Sequence, residues 1–413
     1  MIVGILSDTH LGYPRFYEDS FSQFDEAFRA ACDASDVVIL PGDIFDTKVP
    51  RFEVIAQAMN LFEYGKSKDW SAKGVTRVSD AGAKGDVDGE LPVVAIHGTH
   101  DRRSKEMINP VQLLAKSGFV TNVSDGVVIF EKTGADGKME KVAIHGFGGT
   151  PEDEVHEALK ARELKPIPGA YNILVLHQTI TDIIPVAQGI TLEDLPPGFD
   201  LYLNGHIHKR HLITRNGRTL LIPGSTVITQ LKKEEEEPRA WVRLDTSKKE
   251  IKFMDIKSRP FRHIELSFEK AEPAQITDRC RKEIDAALSR GEDMPIIRVQ
   301  LKGSVKEGLK RENIDLSSLN ELYGDKCFLQ VDNELDSQGL KEKMESLRKM
   351  YEQKMSVREI GVQMLKQKLA ATTNANGGKE IDVERLMDLL QDDDSIDAAI
   401  EDIVKKNADF QKK

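Results

Sequence analysis

Short apolar runs alternate with amphipathic stretches through the first 256 residues. Residues 2–7 form an apolar run that stops at Ser7-Asp8-Thr9-His10, and residues 36–40 form a second that ends at Pro41-Gly42-Asp43. Between them Phe21, Phe24, Ala27, Phe28 and Ala31 recur at the spacing of one helix face. A further helix is predicted over Phe52 to Tyr64, and a third strand over Leu91 to Ile96, which runs into His97-Gly98-Thr99-His100-Asp101. Residues 66–90, polar and without periodicity, are expected as a surface insertion. Strands are also expected at 127–130, 142–144, 172–176, 199–204, 220–223, 240–244 and 251–256, with a helix over 152–163. The pattern predicts an α/β fold, and polar residues stand repeatedly where strands end. In open α/β sheets that is where ligands bind.

A different rhythm begins near Pro260. Strand (261–268), helix (273–290), strand (295–301), short helix (315–322) and strand (326–331) predict a small α+β domain over 257–332. Past Asp332 the chain is highly charged. Two amphipathic helices stand out there, one carrying Val357, Ile360, Val362, Met364, Leu365 and Leu369, the other Val383, Leu386, Met387, Leu389, Leu390 and Ile403. Thr372 to Lys379 separates them as a flexible linker. Three domains are therefore expected: 1–256, 257–332 and 333–413.

Composition narrows the choice. No apolar run approaches the roughly 20 residues of a membrane helix, and the first residues read as a strand rather than a signal peptide. Three scattered cysteines, Cys32, Cys280 and Cys327, lack metal-type spacing and point to a cytosolic chain with reduced thiols. A net charge of −11 argues against a protein that coats nucleic acid by bulk positive charge. Local basic groups remain, with Arg102 and Arg103 behind His100 and Lys209 and Arg210 behind His208. They suit phosphate contacts or a plain solvated face. The run Glu234–Glu237 reads as a solvated loop.

The chemistry lies at the strand ends: Asp8, His10, Asp43, Thr99, His100, Asp101, His177, His206 and His208. His206 and His208 stand two apart on an extended segment and so face one way. Carboxylates and imidazoles converging at one end of a sheet suit a pair of divalent transition ions, which Asp43 could bridge. Such a pair lowers the pKa of bound water and clamps phosphoryl oxygens, so the reaction class implied is phosphate-ester hydrolysis. Each element alone is weak; five in order make a strong joint signal. His97, His145, His156, His211 and His263 belong to no such pattern and are expected to be structural or surface residues.

Asp8-x-His10, Gly42-Asp43, Gly98-Thr99-His100-Asp101, His177 and Gly205-His206-x-His208 resemble the calcineurin-like metallophosphoesterase superfamily. Within it the chain is most similar to the archaeal Mre-eleven-type double-strand-break repair nucleases, related to bacterial SbcD. Residues 2–12, 42–46, 176–178, 194–200, 205–210, 223–225 and 257–261 carry that narrower likeness. The resemblance implies a two-sheet sandwich flanked by helices, a small α+β capping domain over the DNA, and a helical C-terminal tail. It implies Asp8, His10, Asp43 and His208 around one manganese ion, and Asp43, His177 and His206 around the other, with Thr99 at the position of a further ligand. His100 would serve the leaving group, and Asp101 would orient His100 through a carboxylate–imidazole contact. The product would be a single-strand endonuclease and 3′–5′ exonuclease, homodimeric and nucleoid-associated. Val357, Ile360, Met364, Leu365, Leu386, Leu389 and Leu390 would dock on an SMC-like coiled-coil ATPase. Two departures stand out: Thr99 replaces the usual asparagine, and Asp46 stands where close relatives often carry a histidine. Another phosphodiesterase or phosphatase of the superfamily, or a DNA-end-tethering scaffold with weak cleavage, are the competing readings.

Overall fold

The computed structural model describes residues 1–78, 87–104, 106–134, 137–185, 188–306 and 308–336. The two tail helices, with Val357 through Leu390, lie outside the described residues. The described chain divides into two compact units, one of Met1–Ile264, Lys282–Val299 and Leu319–Gln330, the other of Glu265–Arg281, Gln300–Ser318 and residues 331–336.

In order, the elements are β1 (Ile2–Ile5), α1 (Tyr17–Ala34), β2 (Val37–Pro41), α2 (Phe52–Lys66), β3 (Val75–Val78), β4 (Val93–Ile96) and α3 (Pro110–Lys116). Then come β5 (Thr121–Asn122), β6 (Val127–Thr133), β7 (Met139–Phe147), α4 (Val155–Arg162), β8 (Tyr171–Leu176), β9 (Leu201–Asn204), β10 (His211–Arg215) and β11 (Arg218–Ile222). The chain continues through β12 (Ala240–Asp245), β13 (Glu250–Asp255), β14 (Phe261–Ala271), α5 (Pro273–Leu288), β15 (Ile296–Val305), α6 (Ser317–Tyr323) and β16 (Phe328–Asp336).

Two mixed sheets build the first unit. One runs β13-β12-β1-β2-β4-β5 and the other β10-β11-β9-β8-β7-β6-β3. Strands β1, β2, β4 and β5 are parallel in the first, as are β7, β8, β9 and β11 in the second. Parallel strands covered on both faces need apolar side chains on both, which is why these segments read as unbroken apolar runs. Their alternation is visible in the packing. Val3, Ile5, Val37 and Ile39 meet Ile173, Val175, Leu201 and Leu203 in a core shared by the two sheets. On the opposite face of the first sheet, Val38 and Leu40 pack with Phe24, Phe28 and Phe62 of α1 and α2. Leu174, Leu176 and Tyr202 pack on the far side of the second, with Val155 and Leu159 of α4. This α/β sandwich is the expected fold class.

Residues 66–90 depart from the expected featureless insertion. Trp70 is buried and donates its indole N–H to the carbonyl of Gly65 at 2.8 Å, while Val75–Val78 pair antiparallel with β6. An edge strand with only half-buried or exposed side chains leaves no strong alternation to read. Strands β14, β15 and β16 form a three-stranded sheet, and the division between the two units runs through each of them and through α5. In the second unit Lys302 pairs with Glu265 at 2.7 Å and Gln300 donates to Glu334 at 2.6 Å. No described helix is long and apolar enough to cross a membrane.

Candidate metal centre

Every predicted donor follows the C-terminal end of a parallel strand, so the two sheets deliver their donors to one place. β1 leads to Asp8 and His10, β2 to Asp43, and β4 to Thr99 and His100. From the other sheet, β8 leads to His177 and β9 to His206 and His208. Asp8, His10, Asp43 and His177 are at most 2% exposed. Donor atoms of Asp8, His10 and His208 all lie within 4.8 Å of one another, as do those of Asp43, His177 and His206. A third group, His10, Asp46 and His100, meets the same limit.

Local backbone makes this convergence possible at a cost. Asp8, His10, Asp43 and His206 all adopt the left-handed region, at φ 50°, 42°, 47° and 71°. Non-glycine residues held there cost on the order of 1–3 kcal/mol each and gather at functional sites. Two glycines clear the space. A Cβ on Gly98 would stand 2.2 Å from Asp43 Oδ1, and one on Gly205 would stand 2.3 Å from the Pro41 carbonyl and 2.6 Å from His177 Nδ1. Gly205 thus admits the close approach of neighbouring protein atoms.

Hydrogen bonds orient each ring. His177 Nδ1 meets the Pro41 carbonyl at 2.8 Å, and His208 Nδ1 meets Thr229 Oγ1 at 2.6 Å. Both therefore turn Nε2 inward, His177 to 3.1 Å from Asp43 Oδ2 and His208 to 3.1 Å from His10 Nε2. Asp8 Oδ1 accepts the amide of His206 at 2.9 Å, and Asp43 Oδ1 accepts that of His100 at 2.7 Å. Thr99 Oγ1 sits 3.3 Å from Asp43 Oδ2 and 3.5 Å from His177 Nε2, so the substituted position lies beside the second group.

Burial opposes charge on His177, yet Asp43 beside it outweighs burial and pushes its pKa up to about 9. Burial and the positive His177 hold His206 down at about 4. Burial and His10 hold His208 well below the usual histidine range. His206 and His208 thus keep the neutral form that a metal needs, while His177 holds a proton beside Asp43 where a cation would replace it. Neutral imidazoles with buried carboxylates fit divalent transition ions. Asp8, His10 and His208 would hold one, and Asp43, His177 and His206 another.

His100 stands at the rim, exposed, with its ring edge-on to His10 at 5.0 Å. Its Nδ1 meets the Asp46 carbonyl at 2.7 Å. Asp101 was expected to orient this ring and does not. Its carboxylate is fully buried and accepts the amides of Ile44 and Phe45 at 3.0 Å each and of Gly98 at 3.2 Å. The loop after β2 presents its amides inward, and a buried carboxylate is what satisfies them. Asp46, which the sequence flagged only as a departure, holds His100 with its carbonyl, and its Oδ1 lies 3.4 Å from His10 Nδ1. An open cleft of about 300 Å3 lined by Asp46, Thr47, Lys48, Thr99 and His100 lies beside it.

The four basic candidates diverge. Arg103 turns to the Ile108 carbonyl at 3.1 Å, and Arg210 pairs with Asp255 at 3.1 Å and covers Phe253. Arg102 keeps one buried nitrogen without a hydrogen-bond partner among the described residues, and Lys209 is exposed.

The calcineurin-like phosphoesterase profile matches residues 1–210, which end just past His208. The chain belongs to the calcineurin-like phosphoesterase family. Among curated proteins this phosphoesterase is 28% identical over 249 residues to a double-strand break repair protein MRE11 of Encephalitozoon cuniculi, covering 56% of this chain and 43% of that one. It is 24% identical over 318 residues to a DNA double-strand break repair protein Mre11 of Sulfolobus acidocaldarius, covering 73% and 74%. To the protein of that name from Sulfurisphaera tokodaii it is 29% identical over 248 residues, covering 56% and 55%. It spans about half the length of the first and third of these relatives and about three quarters of the second. Sequence reasoning missed the phosphoesterase's orienting groups, Thr229 and the Pro41 carbonyl, because neither residue type advertises the role.

Proposed function

We propose that this phosphoesterase is a DNA nuclease that uses two divalent ions, manganese by preference, to process ends in double-strand-break repair. The reading is carried by the two adjacent three-donor groups, drawn from both sheets and oriented by hydrogen bonds. Its DNA-repair side is supported by the names of the relatives. When bound, such ions activate water and clamp phosphoryl oxygens. The chain's own residues do the rest. Asp43 would be shared between the two ions, and Thr99 would add a neutral oxygen to the second. His100 would serve the leaving oxygen: its Nδ1 meets the Asp46 carbonyl, which leaves Nε2 for the substrate side of the rim. Asp101 holds the Asp43 and Gly98 loops rather than touching the reacting atoms. Lys209 and Arg102 are the basic groups left for phosphate.

Single-strand endonuclease and 3′–5′ exonuclease action, a homodimer and a nucleoid location belong to the same reading. So do a capping role for residues 257–332 and docking of the 333–413 tail on an SMC-like coiled-coil ATPase. Circular single-stranded DNA and para-nitrophenyl phosphate, each with manganese and with EDTA, test it. Manganese-dependent nicking of the circle, abolished by EDTA, is expected. Turnover of para-nitrophenyl phosphate alone would move the protein to the small-molecule phosphatases. Turnover of neither would overturn the enzyme reading.

A further inference from the structure

Behind His206 stand two side chains that the metal constellation does not use. His206 Nε2 lies 3.1 Å from Thr179 Oγ1, and Thr179 Oγ1 donates to Glu152 Oε1 at 2.5 Å. A hydroxyl has a single proton. With that proton committed to the carboxylate, the threonine oxygen can only accept from the imidazole. His206 is thereby fixed with its hydrogen on Nε2 and its lone pair on Nδ1.

Two further observations mark this chain as built. The backbone around Thr179 is pinned by the bridge of Ile180 to Ile190, with Ile190 N donating to Thr179 O at 3.0 Å and Thr181 N donating to Ile190 O at 2.9 Å. Glu152 Oε2 is buried and has no partner among the described residues. A carboxylate oxygen out of water and without a donor is a cost that packing alone gives no reason to keep. The neighbouring rings are set the other way round, since His177 and His208 are both held by Nδ1.

We propose that Glu152 and Thr179 are positioning residues that fix His206 to offer Nδ1, opposite in sense to His177 and His208, and so set the affinity of the Asp43–His177–His206 group for its ion. The inference rests on the metal reading above. Orienting partners of this kind are typically worth 10- to 100-fold in metal affinity.

The test uses the full chain in four variants: Thr179→Val and Glu152→Ala, which break the relay, and Thr179→Ser and Glu152→Gln, which keep an oxygen in place. Long-range 1H–15N spectra of the metal-free, histidine-labelled protein, with His206 assigned through His206→Gln, report the tautomer. Manganese titration followed by electron paramagnetic resonance reports affinity. Wild type, Thr179→Ser and Glu152→Gln are expected to show His206 with hydrogen on Nε2 and to bind two ions. Thr179→Val and Glu152→Ala are expected to lose 10- to 100-fold at one ion and nothing at the other. Hydrogen on Nδ1 of His206 in the wild type overturns the relay, even if a variant fails to fold. So does wild-type affinity in both breaking variants, or a Thr179→Ser as weak as Thr179→Val. Wild type that takes up no manganese overturns the metal reading along with the relay; wild type with two ions and unchanged variants overturns the relay alone.

Discussion

His10 and His208 face each other Nε2 to Nε2 at 3.1 Å. One hydrogen at most can lie between two such nitrogens, and His208 is held neutral by burial and by His10. A divalent cation shared by both rings satisfies two lone pairs at once.

Metal should therefore stabilise the fold measurably. At 100 times its dissociation constant, a ligand that binds only the folded state adds about 2.7 kcal/mol. Differential scanning calorimetry with manganese and with EDTA is expected to show that gain, and His208→Asn to lose most of it. Equal melting temperatures in manganese and EDTA would count against the site.

At Thr99 the hydroxyl lies 3.3 Å from Asp43 Oδ2 and 3.5 Å from His177 Nε2. An amide oxygen reaches further and is a better neutral donor to a divalent cation. Thr99→Asn is expected to tighten the weaker manganese site by several-fold, read by titration. Indistinguishable metal dependence would show that Thr99 is no ligand.

If His100 gives the leaving oxygen its proton, as proposed above, its loss should matter only where the leaving group needs one. His100→Gln is expected to slow cleavage of DNA by about 10²–10⁴ with manganese affinity kept. A para-nitrophenyl phosphodiester, whose phenolate leaves unaided, should suffer far less. Equal losses on both substrates would assign His100 to binding instead.

Acid should weaken the metal-free fold through His97. Burial, then the charge on His177, holds its pKa at about 4. The unfolded chain takes up the proton near 6.5 and the folded chain resists it. Stability from this group is thus fully present above 6.5 and falls as pH drops toward 4, by about 3 kcal/mol in total. Urea titrations of the metal-free protein at several pH values are expected to show the loss, and His97→Asn to flatten it.

The sequence shows the strand-end donors because parallel strands buried on both faces are unbroken apolar runs, and the polar residue that ends each run stands out. Hence Asp8, Asp43, His177 and His208 were all legible. Asp101 was read as the residue that orients His100, whereas its carboxylate is taken up by backbone amides. Its neighbours in the chain cannot reveal that the Ile44 and Phe45 amides, more than fifty positions away, need an acceptor. Glu152 and Thr179 were invisible for the same reason, since their contact with His206 exists only once three separate loops meet.

Two of the donor groups take members from both sheets: Asp8 and His10 with His208, and Asp43 with His177 and His206. An ion held there is a rivet through the sandwich as well as a reagent. Chelators should accordingly act on this protein as mild denaturants that open one rim of its two layers first. Amides of residues 8–10, 43–45 and 205–208 would then be the earliest to exchange with solvent.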